Sequence, residues 1–243
     1  TTPIDWTNPA TTPFSSAMAV TNVLGQQVYD TATVSGTPAA FTPTGNVNYY
    51  LSTNGGAYSL FDTEPVGTQS LNTASLAAGS YSFEAQYLGD GNYQQSPMSA
   101  PEPLTINQGS SSVSTAISDS GGGVVSSVLG EKVYDTATVT GTPAAFAPTG
   151  NVKYYFSTDG GTTYSLFDTE PVGTQSINTA SLPAGSYSFE AQYSGDSNYA
   201  ASPMSSPEPL TINKATPTGR VERWRGGVGF GIFWVGVSPS VSH

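Results

Sequence analysis

Apolar and polar residues alternate with a period of two along several short segments of this chain. In residues 79–87 the apolar positions are Tyr81, Phe83, Ala85 and Tyr87. Polar residues stand between them, and residues 46–53 follow the same pattern. This period predicts β-strands that bury one face and expose the other. No segment has a convincing helical period, so the chain is predicted to be all-β.

Turn-forming residues separate the predicted strands. The triplets at residues 54–56 (Asn-Gly-Gly) and 159–161 (Asp-Gly-Gly) supply the positive φ angles that a tight hairpin needs. Pro97, Pro101 and Pro103 precede a further strand, which suits a sheet edge because proline has no N–H to donate. Several short strands with turns about every 8–12 residues predict a β-sandwich.

Most of the sequence is present twice. Residues 28–107 align with residues 133–213, and 67 of 80 aligned positions are identical. We therefore predict an N-terminal arm at 1–12, a first domain at 13–107, a linker at 108–112, a second domain at 113–213 and a C-terminal tail at 214–243. An enzyme seldom needs its active site twice in tandem, whereas a spacer, a fibre or a multivalent binder gains reach or avidity from each copy.

The chain is acidic and poor in charge, with 9% charged residues and a net charge of −11. No Lys or Arg precedes Lys132, which argues against nucleic acid as a partner. Arg220, Arg223 and Arg225 form a short basic segment that either contacts the acidic body of another copy or is solvated. The start at Thr1 is expected for a secreted protein after signal cleavage or for a fragment. No stretch reaches the ~20 apolar residues of a membrane helix.

The sequence offers little catalytic chemistry. It has no Cys and its only His is His243, so no metal or cofactor is predicted and the protein is not expected to be an enzyme. The pairs Asp62/Glu64 and Asp168/Glu170 share a strand face, as a glycosidase pair or calcium ligands would. A solvated strand edge is the preferred interpretation of both pairs.

Other polar and aromatic residues invite a functional interpretation. Asp30 and Asp135 fall on an inward face, and we expect each to lie at a sheet end and accept hydrogen bonds from backbone or Tyr, because a lone buried carboxylate is costly. Asp90 and Asp196 are expected to form turns. The candidates for sugar stacking are Tyr50, Tyr58, Tyr155, Tyr164, Trp6 and Trp224. They form no visible cluster, so packing between domains is the preferred use.

Four motifs occur in the same order in both copies. They are D-x-A-x-V-x-G at 30–36 and 135–141, P-T-G-x-V at 43–47 and 148–152, L-x-x-G-x-Y at 76–81 and 182–187, and A-x-Y-x-G-D-x-N-Y at 85–93 and 191–199. With them the chain resembles bacterial and archaeal Ig-like repeats of secreted and cell-surface proteins. The resemblance implies two tandem immunoglobulin-like β-sandwich domains in an extracellular or cell-surface protein. Such repeats serve as stalks, fibres and adhesive modules alike.

The L-x-x-G-x-Y motif resembles the tyrosine corner of Ig-like domains. The resemblance implies that Tyr81 and Tyr187 each return a hydroxyl hydrogen bond to nearby backbone. It also places Phe83 and Phe189 at the position of the second cysteine of vertebrate Ig domains. Apolar packing in the core is therefore expected to take the place of the covalent tie.

The sequence changes character after residue 213. Residues 228–237 are strongly apolar and β-favouring, but they are too few to cross a bilayer as a helix. Such a strand aggregates when exposed, so it needs a groove in its own chain, in the next subunit, or at a membrane or the remainder of a longer protein. We favour β-augmentation of the next subunit. The predicted subunit-interface residues are Val228, Phe230, Ile232, Phe233, Trp234, Val235 and Val237.

The sequence as a whole predicts a non-catalytic extracellular structural protein that self-associates head to tail into a surface filament or stalk. One alternative is an adhesin whose repeats bind a glycan or a host protein. Another is a spacer fragment of a larger secreted enzyme.

Overall fold

The computed structural model describes residues 22–219, which form ten β-strands and no helix. The first domain contains β1 (Asn46–Thr53), β2 (Ser59–Pro65), β3 (Gly79–Tyr87) and β4 (Glu102–Ile106). The second contains β5 (Ser110–Asp119), β6 (Val133–Thr142), β7 (Asn151–Ser157), β8 (Ser165–Pro171), β9 (Gly185–Tyr193) and β10 (Glu208–Ile212). The prediction of an all-β chain is confirmed. Over the same residues, no helix has the length and apolarity that crossing a bilayer requires.

Each domain is built on one four-stranded antiparallel sheet. The strand orders are β2-β1-β3-β4 and β8-β7-β9-β10, so equivalent strands of the two copies occupy equivalent places. Pro103 lies in β4 at the edge of its sheet, opposite Ser82 of β3. An edge strand tolerates proline because one side of its backbone needs no partner in the sheet.

A second layer packs against the sheet. In the second domain β5 and β6 pair from Ser110↔Thr142 to Asp119↔Val133 and lie against β9. Residues 176–179 extend this layer without forming a regular strand. The amide of Ser176 donates to the carbonyl oxygen of Asp135 at 2.9 Å, and the amide of Thr179 donates to that of Val133 at 2.8 Å. The first domain repeats these bonds between residues 28–30 and residues 70–73. Each copy is therefore a two-layered β-sandwich.

The core lies between the two layers, where the predicted alternation places it. In β3 the buried residues are Tyr81, Phe83, Ala85 and Tyr87. Tyr49 of β1 has no exposed surface, yet its hydroxyl donates a 2.8 Å hydrogen bond to the carbonyl oxygen of Thr68. The polar tip of this core tyrosine is thus satisfied by the loop that follows β2.

β5 begins inside the segment predicted as a linker at 108–112. Ser110, Ser111 and Ser112 already pair with residues 140–142 of β6. Short polar residues look like a flexible connection in the sequence, but their backbone groups find partners in a strand farther along the chain. The predicted N-terminal arm and residues 220–243 of the predicted tail lie outside the described residues.

Candidate functional site

The two tyrosine-corner residues lie near the start of β3 and β9. The Tyr81 hydroxyl donates to the carbonyl oxygen of Ala77 at 3.0 Å, and the Tyr187 hydroxyl donates to that of Pro183 at 2.9 Å. Burial raises the pKa of Tyr81 above its usual value. Each bond ties the loop that enters the strand to the strand itself, so the loop keeps a fixed shape.

Phe83 and Phe189 are fully buried between the layers. The ring centroid of Phe189 lies 4.6 Å from that of Phe156 and 6.2 Å from that of Phe167, the second contact being edge to face. Phe156 also stacks on Tyr187, with centroids 5.6 Å apart and planes 6° apart. An aromatic cluster therefore fills the centre of the second domain.

The two inward-facing aspartates have different surroundings. Asp30 is 3% exposed and accepts a 2.7 Å hydrogen bond from the amide of Thr31. Asp135 is fully buried, and neither oxygen of its carboxyl group has a hydrogen bond of normal geometry within residues 22–219, although the backbone groups of Thr136 and Ala116 lie near enough to lower its pKa. Asp135 lies within β6, where Thr136, the counterpart of Thr31, pairs with Ala116 in the ladder of β5 and β6.

These surroundings shift the acidity of both carboxyl groups. Burial, and then the negative charge of Glu208, raises the pKa of Asp135 to about 7, and the backbone groups of Thr136 and Ala116 oppose this rise. Burial raises the pKa of Asp30 to about 6, and the hydrogen bond from Thr31 opposes this rise. Both groups therefore take up a proton within the physiological range of pH. They lie inside the sandwich, so we assign them a role in stability.

Asp62 and Asp168 anchor loops. A carboxylate oxygen of Asp62 accepts a 2.6 Å hydrogen bond from the amide of Leu71, and Asp168 accepts an equally short bond from the amide of Ile177. Both residues lie on edge strands of their sheets. Nowhere in residues 22–219 do three or more His, Cys, Asp or Glu side chains form a group that could hold a metal ion.

Asp196 organises the turn that follows β9. Its carboxylate accepts bonds from the amide and the hydroxyl of Thr149 at 2.7 and 2.8 Å, and from the amides of Asn198 and Tyr199 at 2.8 Å. Burial pushes the pKa of Asp196 upward, but these bonds outweigh it and lower the pKa to about 2. In the first domain, bonds from Thr44 and the turn after β3 hold the pKa of Asp90 well below its usual range.

Two of the four candidate sugar-stacking tyrosines, Tyr58 and Tyr164, donate hydrogen bonds within their own domains. The Tyr58 hydroxyl donates to Ser82 at 2.7 Å, and the Tyr164 hydroxyl donates to Ser188 at 2.8 Å. Trp6 and Trp224 lie outside the described residues. The predicted subunit-interface residues also lie outside them: Val228, Phe230, Ile232, Phe233, Trp234, Val235 and Val237.

The residues with the strongest functional implication lie where the two domains meet. The first domain contributes what we call the lower surface, which contains Leu24, Gly25, Ala78 and Gln108. The second domain contributes the upper surface, which contains Ala145, Phe146, Asn198 and Tyr199. We call the contact between them the joint.

Hydrogen bonds from the lower surface cross the joint directly. The amide of Ala78 donates to the side-chain oxygen of Asn198 at 3.1 Å. The side-chain nitrogen of Gln108 donates to the carbonyl oxygens of Asp196 and Ser197 at 2.9 and 3.3 Å. The turn held by Asp196 is therefore also the part of the second domain that receives these donors.

The connecting chain is bonded to the same turn. The amide of Gly109 donates to the carbonyl oxygen of Asn198 at 2.9 Å, and the carbonyl oxygen of Gly109 accepts from the amide of Ala200 at 3.0 Å. The Ser111 hydroxyl adds a 2.7 Å bond to the carbonyl oxygen of Ala200. The segment between the domains is thus held to the second domain and is not a free hinge.

Apolar packing completes the joint. Leu24 is 3% exposed and Tyr199 has no exposed surface, and both belong to one buried cluster that runs through both domains. Phe146 packs against this cluster. Gly25 approaches Ala145 so closely that a Cβ on Gly25 would overlap the Cβ of Ala145. The cores of the two sandwiches are therefore continuous across the joint.

No sequence pattern marks the joint residues as functional. Leu24 and Gly25 have identical counterparts in Leu129 and Gly130 of the second copy. Local sequence therefore cannot tell which pair is covered by another domain. Only the three-dimensional arrangement separates them.

We expect Gly25→Ala to loosen the joint. Gly25 has a φ of 81°, where a side chain costs about 1–2 kcal/mol, and its new methyl group would also strike Ala145. Gly130→Ala is the matched control, since its φ is 88° but no atom lies near the added Cβ in the part of the chain that the structure describes. At a dilution where the protein is monomeric, small-angle X-ray scattering should show a broader distribution of particle lengths for Gly25→Ala alone. Equal profiles for the two variants would contradict a close-packed joint.

Comparisons with known proteins cover both copies. The family model described as bacterial Ig-like domain (group 3) matches residues 15–107 and 123–213. No curated protein matches the chain. Matching solved structures include the FN1–FN3 domains of chicken CNTN1, with 9% identity and a TM-score of 0.30 over 86% of this chain and 67% of that one.

Proposed function

The chain belongs to the bacterial Ig-like domain (group 3) family, and from this premise we propose that it is a non-catalytic extracellular structural protein, a subunit of a surface filament or stalk. Domains of this family are typical of extracellular and cell-surface proteins. A structural role needs domains that keep their spacing, so the contact between the two copies carries the proposal.

The joint is the observation that supports this role. Domains joined by a small polar contact move relative to one another by default. Here the buried cluster containing Leu24 and Tyr199 is continuous across the joint, and the amide of Ala78 bonds to Asn198. Two sandwiches fixed in this way form an extended unit with a defined repeat distance, which is useful in a stalk.

The terminal segment 228–237 is proposed to connect one subunit to the next by adding a strand to it. Ten apolar residues without a partner would aggregate, and β-augmentation satisfies their backbone groups. A contact in which the donor and acceptor surfaces differ propagates without closing, and a filament results.

We expect Ile232→Asp to abolish or strongly reduce assembly. A charge at the centre of the added strand is buried without a partner when the strand docks, which disfavours docking. Negative-stain electron microscopy and light scattering of the full-length protein should show filaments for the wild type and small particles for the variant. Thr216→Asp, outside the apolar segment, is the control and should assemble normally. Filaments of unchanged length in Ile232→Asp would contradict the connecting role of the tail.

A wild type that binds a glycan saturably in an array, and does not assemble, would favour the adhesin instead. Catalytic turnover by the purified chain would contradict the structural role altogether.

A further inference from the structure

The two ends of the molecule repeat the two surfaces that meet in the joint. On the side away from the joint, the second domain carries its own copy of the lower surface, which contains Leu129, Gly130, Ala184 and Lys214. On the side away from the joint, the first domain carries its own copy of the upper surface, which contains Ala40, Phe41, Asn92 and Tyr93. The joint uses one copy of each surface, and the outer copies remain.

The apolar residues of the outer surfaces are exposed, whereas their counterparts in the joint are covered. Leu129 is 53% exposed and Leu24 is 3% exposed. Phe41 is 63% exposed, while its counterpart Phe146 is partly buried against the joint cluster. Within residues 22–219, two large apolar side chains are therefore exposed on the two outer surfaces, in positions where the same repeat covers them internally.

The outer upper surface already has the shape of its counterpart. The Tyr93 hydroxyl donates to the carbonyl oxygens of Pro38 and Phe41 at 2.9 and 2.8 Å. In the joint, the Tyr199 hydroxyl makes the equivalent bonds at 2.8 Å. A shallow depression lies between residues 37–41 and residues 92–94. In the joint, Gly25 lies against Ala145 of the internal copy of this depression.

The outer lower surface is preformed as well. The amide of Gly130 donates to the carbonyl oxygen of Leu182 at 3.0 Å, as the amide of Gly25 donates to that of Leu76 at 2.8 Å. The φ angles of the two glycines differ by only a few degrees, at 88° and 81°. Docking on this surface therefore needs no rearrangement of backbone.

The substitutions at the outer surfaces favour a contact between molecules. Gln108, which donates to two carbonyl oxygens in the joint, is replaced by Lys214 at the outer lower surface. An ammonium group has three donors and a positive charge. The surface it would meet carries the carboxylate of Asp90, in a half of the chain without Lys or Arg before Lys132. The two outer surfaces are thus complementary in charge. Their fit differs from the joint at one point, since Ala215 stands in place of Gly109, where a Cβ would lie 2.7 Å from the carbonyl oxygen of Thr142.

We propose that the lower surface of the second domain docks on the upper surface of the first domain of a second copy of this chain, and so repeats the joint between molecules. This inference deepens the proposed structural role and rests on it. The surfaces that dock contain none of residues 220–243, so this contact and the tail strand would act together between the same two subunits. Because the two surfaces differ, the contact is head to tail and adds subunits without closing.

The test uses Phe41→Glu and Leu129→Glu in the full-length protein. Each places an unpaired charge in the docked interface, and each should weaken association about 100-fold. Light scattering and sedimentation should therefore show monomers for either variant alone. A mixture of the two should give dimers of one copy of each, since each variant keeps the one surface that the other has lost. Leu166→Glu, at a 58% exposed position on β8, is the control and should assemble as the wild type does.

The outcomes distinguish this interface from the tail. The docking is supported if each single variant is monomeric and if a mixture of the two forms dimers and nothing larger. Assembly of Phe41→Glu and Leu129→Glu at wild-type strength overturns it, and loss of assembly in Ile232→Asp alone would then leave the filament role with the tail as its connector. A wild type that stays monomeric at millimolar concentration overturns both contacts. At a dilution where the wild type is monomeric, Phe41→Glu, Leu129→Glu and Leu166→Glu should unfold at the wild-type urea midpoint, because the replaced side chains are exposed.

Discussion

Phe189→Ala is expected to lower the free energy of unfolding of the second domain by about 4 kcal/mol. Phe189 is fully buried, and its ring packs on Phe156 and Phe167. Removing it loses the burial of the ring and leaves a cavity that the sheets cannot close, which typically costs about 3–5 kcal/mol for Phe→Ala. Small domains are stable by about 5–15 kcal/mol, so much of the second domain's stability would be lost.

Urea unfolding followed by circular dichroism should resolve this effect as an early transition of the second domain. Leu166→Ala is a suitable comparison, since its side chain is 58% exposed and its loss should change the stability by less than about 0.5 kcal/mol. If Phe189→Ala and Leu166→Ala shifted the unfolding midpoint equally, the aromatic cluster would not be the main support of this core.

The second domain is expected to lose about 4 kcal/mol of stability between about pH 4 and about pH 8 through Asp135. Its pKa is about 7 in the folded protein, above the ordinary value of 3.8. The folded state therefore binds more protons than the unfolded state between these values. The stabilising contribution is complete below about pH 4 and is lost as the pH rises through about 7. Urea titrations across this range measure it directly.

Asp135→Asn should remove most of this dependence, because the amide keeps the shape of the side chain and does not ionise. The variant is expected to be more stable than the wild type at pH 8. Glu208 lies near Asp135 and burial raises its pKa as well, so a smaller dependence should remain. Asp196 does not interfere, since its pKa of about 2 confines its effect to more acidic conditions. An identical pH profile in Asp135→Asn would mean that this carboxyl group is not the source.

Local sequence predicted those features that depend on local chemistry. The alternation in residues 79–87 identified β3 and its buried face, and glycines at positive φ marked the hairpin after β1. Linear motifs shared by the two copies led to the correct family. The partners of Ser110 to Ser112 could not be predicted in this way, because they belong to a strand that is distant in sequence.

The joint was beyond prediction for a different reason. Leu24 and Leu129 stand in the same local sequence, yet one is buried by a neighbouring domain and the other is exposed. Likewise, Asp30 and Asp135 share their neighbours in sequence. Asp30 accepts a 2.7 Å hydrogen bond from the next amide, whereas the carboxyl group of Asp135 has no bond of normal geometry in residues 22–219. Burial and bonding at these positions depend on what packs against the repeat, and the repeat itself does not encode that.

The course of the chain through the joint determines how the molecule would respond to tension. The chain leaves β4, crosses the joint at Gly109 and enters β5 directly. β5 runs antiparallel to β6 along its whole length, from Ser110↔Thr142 to Asp119↔Val133. A pull along the chain axis would slide β5 lengthwise against β6 and load all of these pairs at once. We therefore expect β5 and β6 to separate by shear of the whole ladder, and not by the opening of one pair after another.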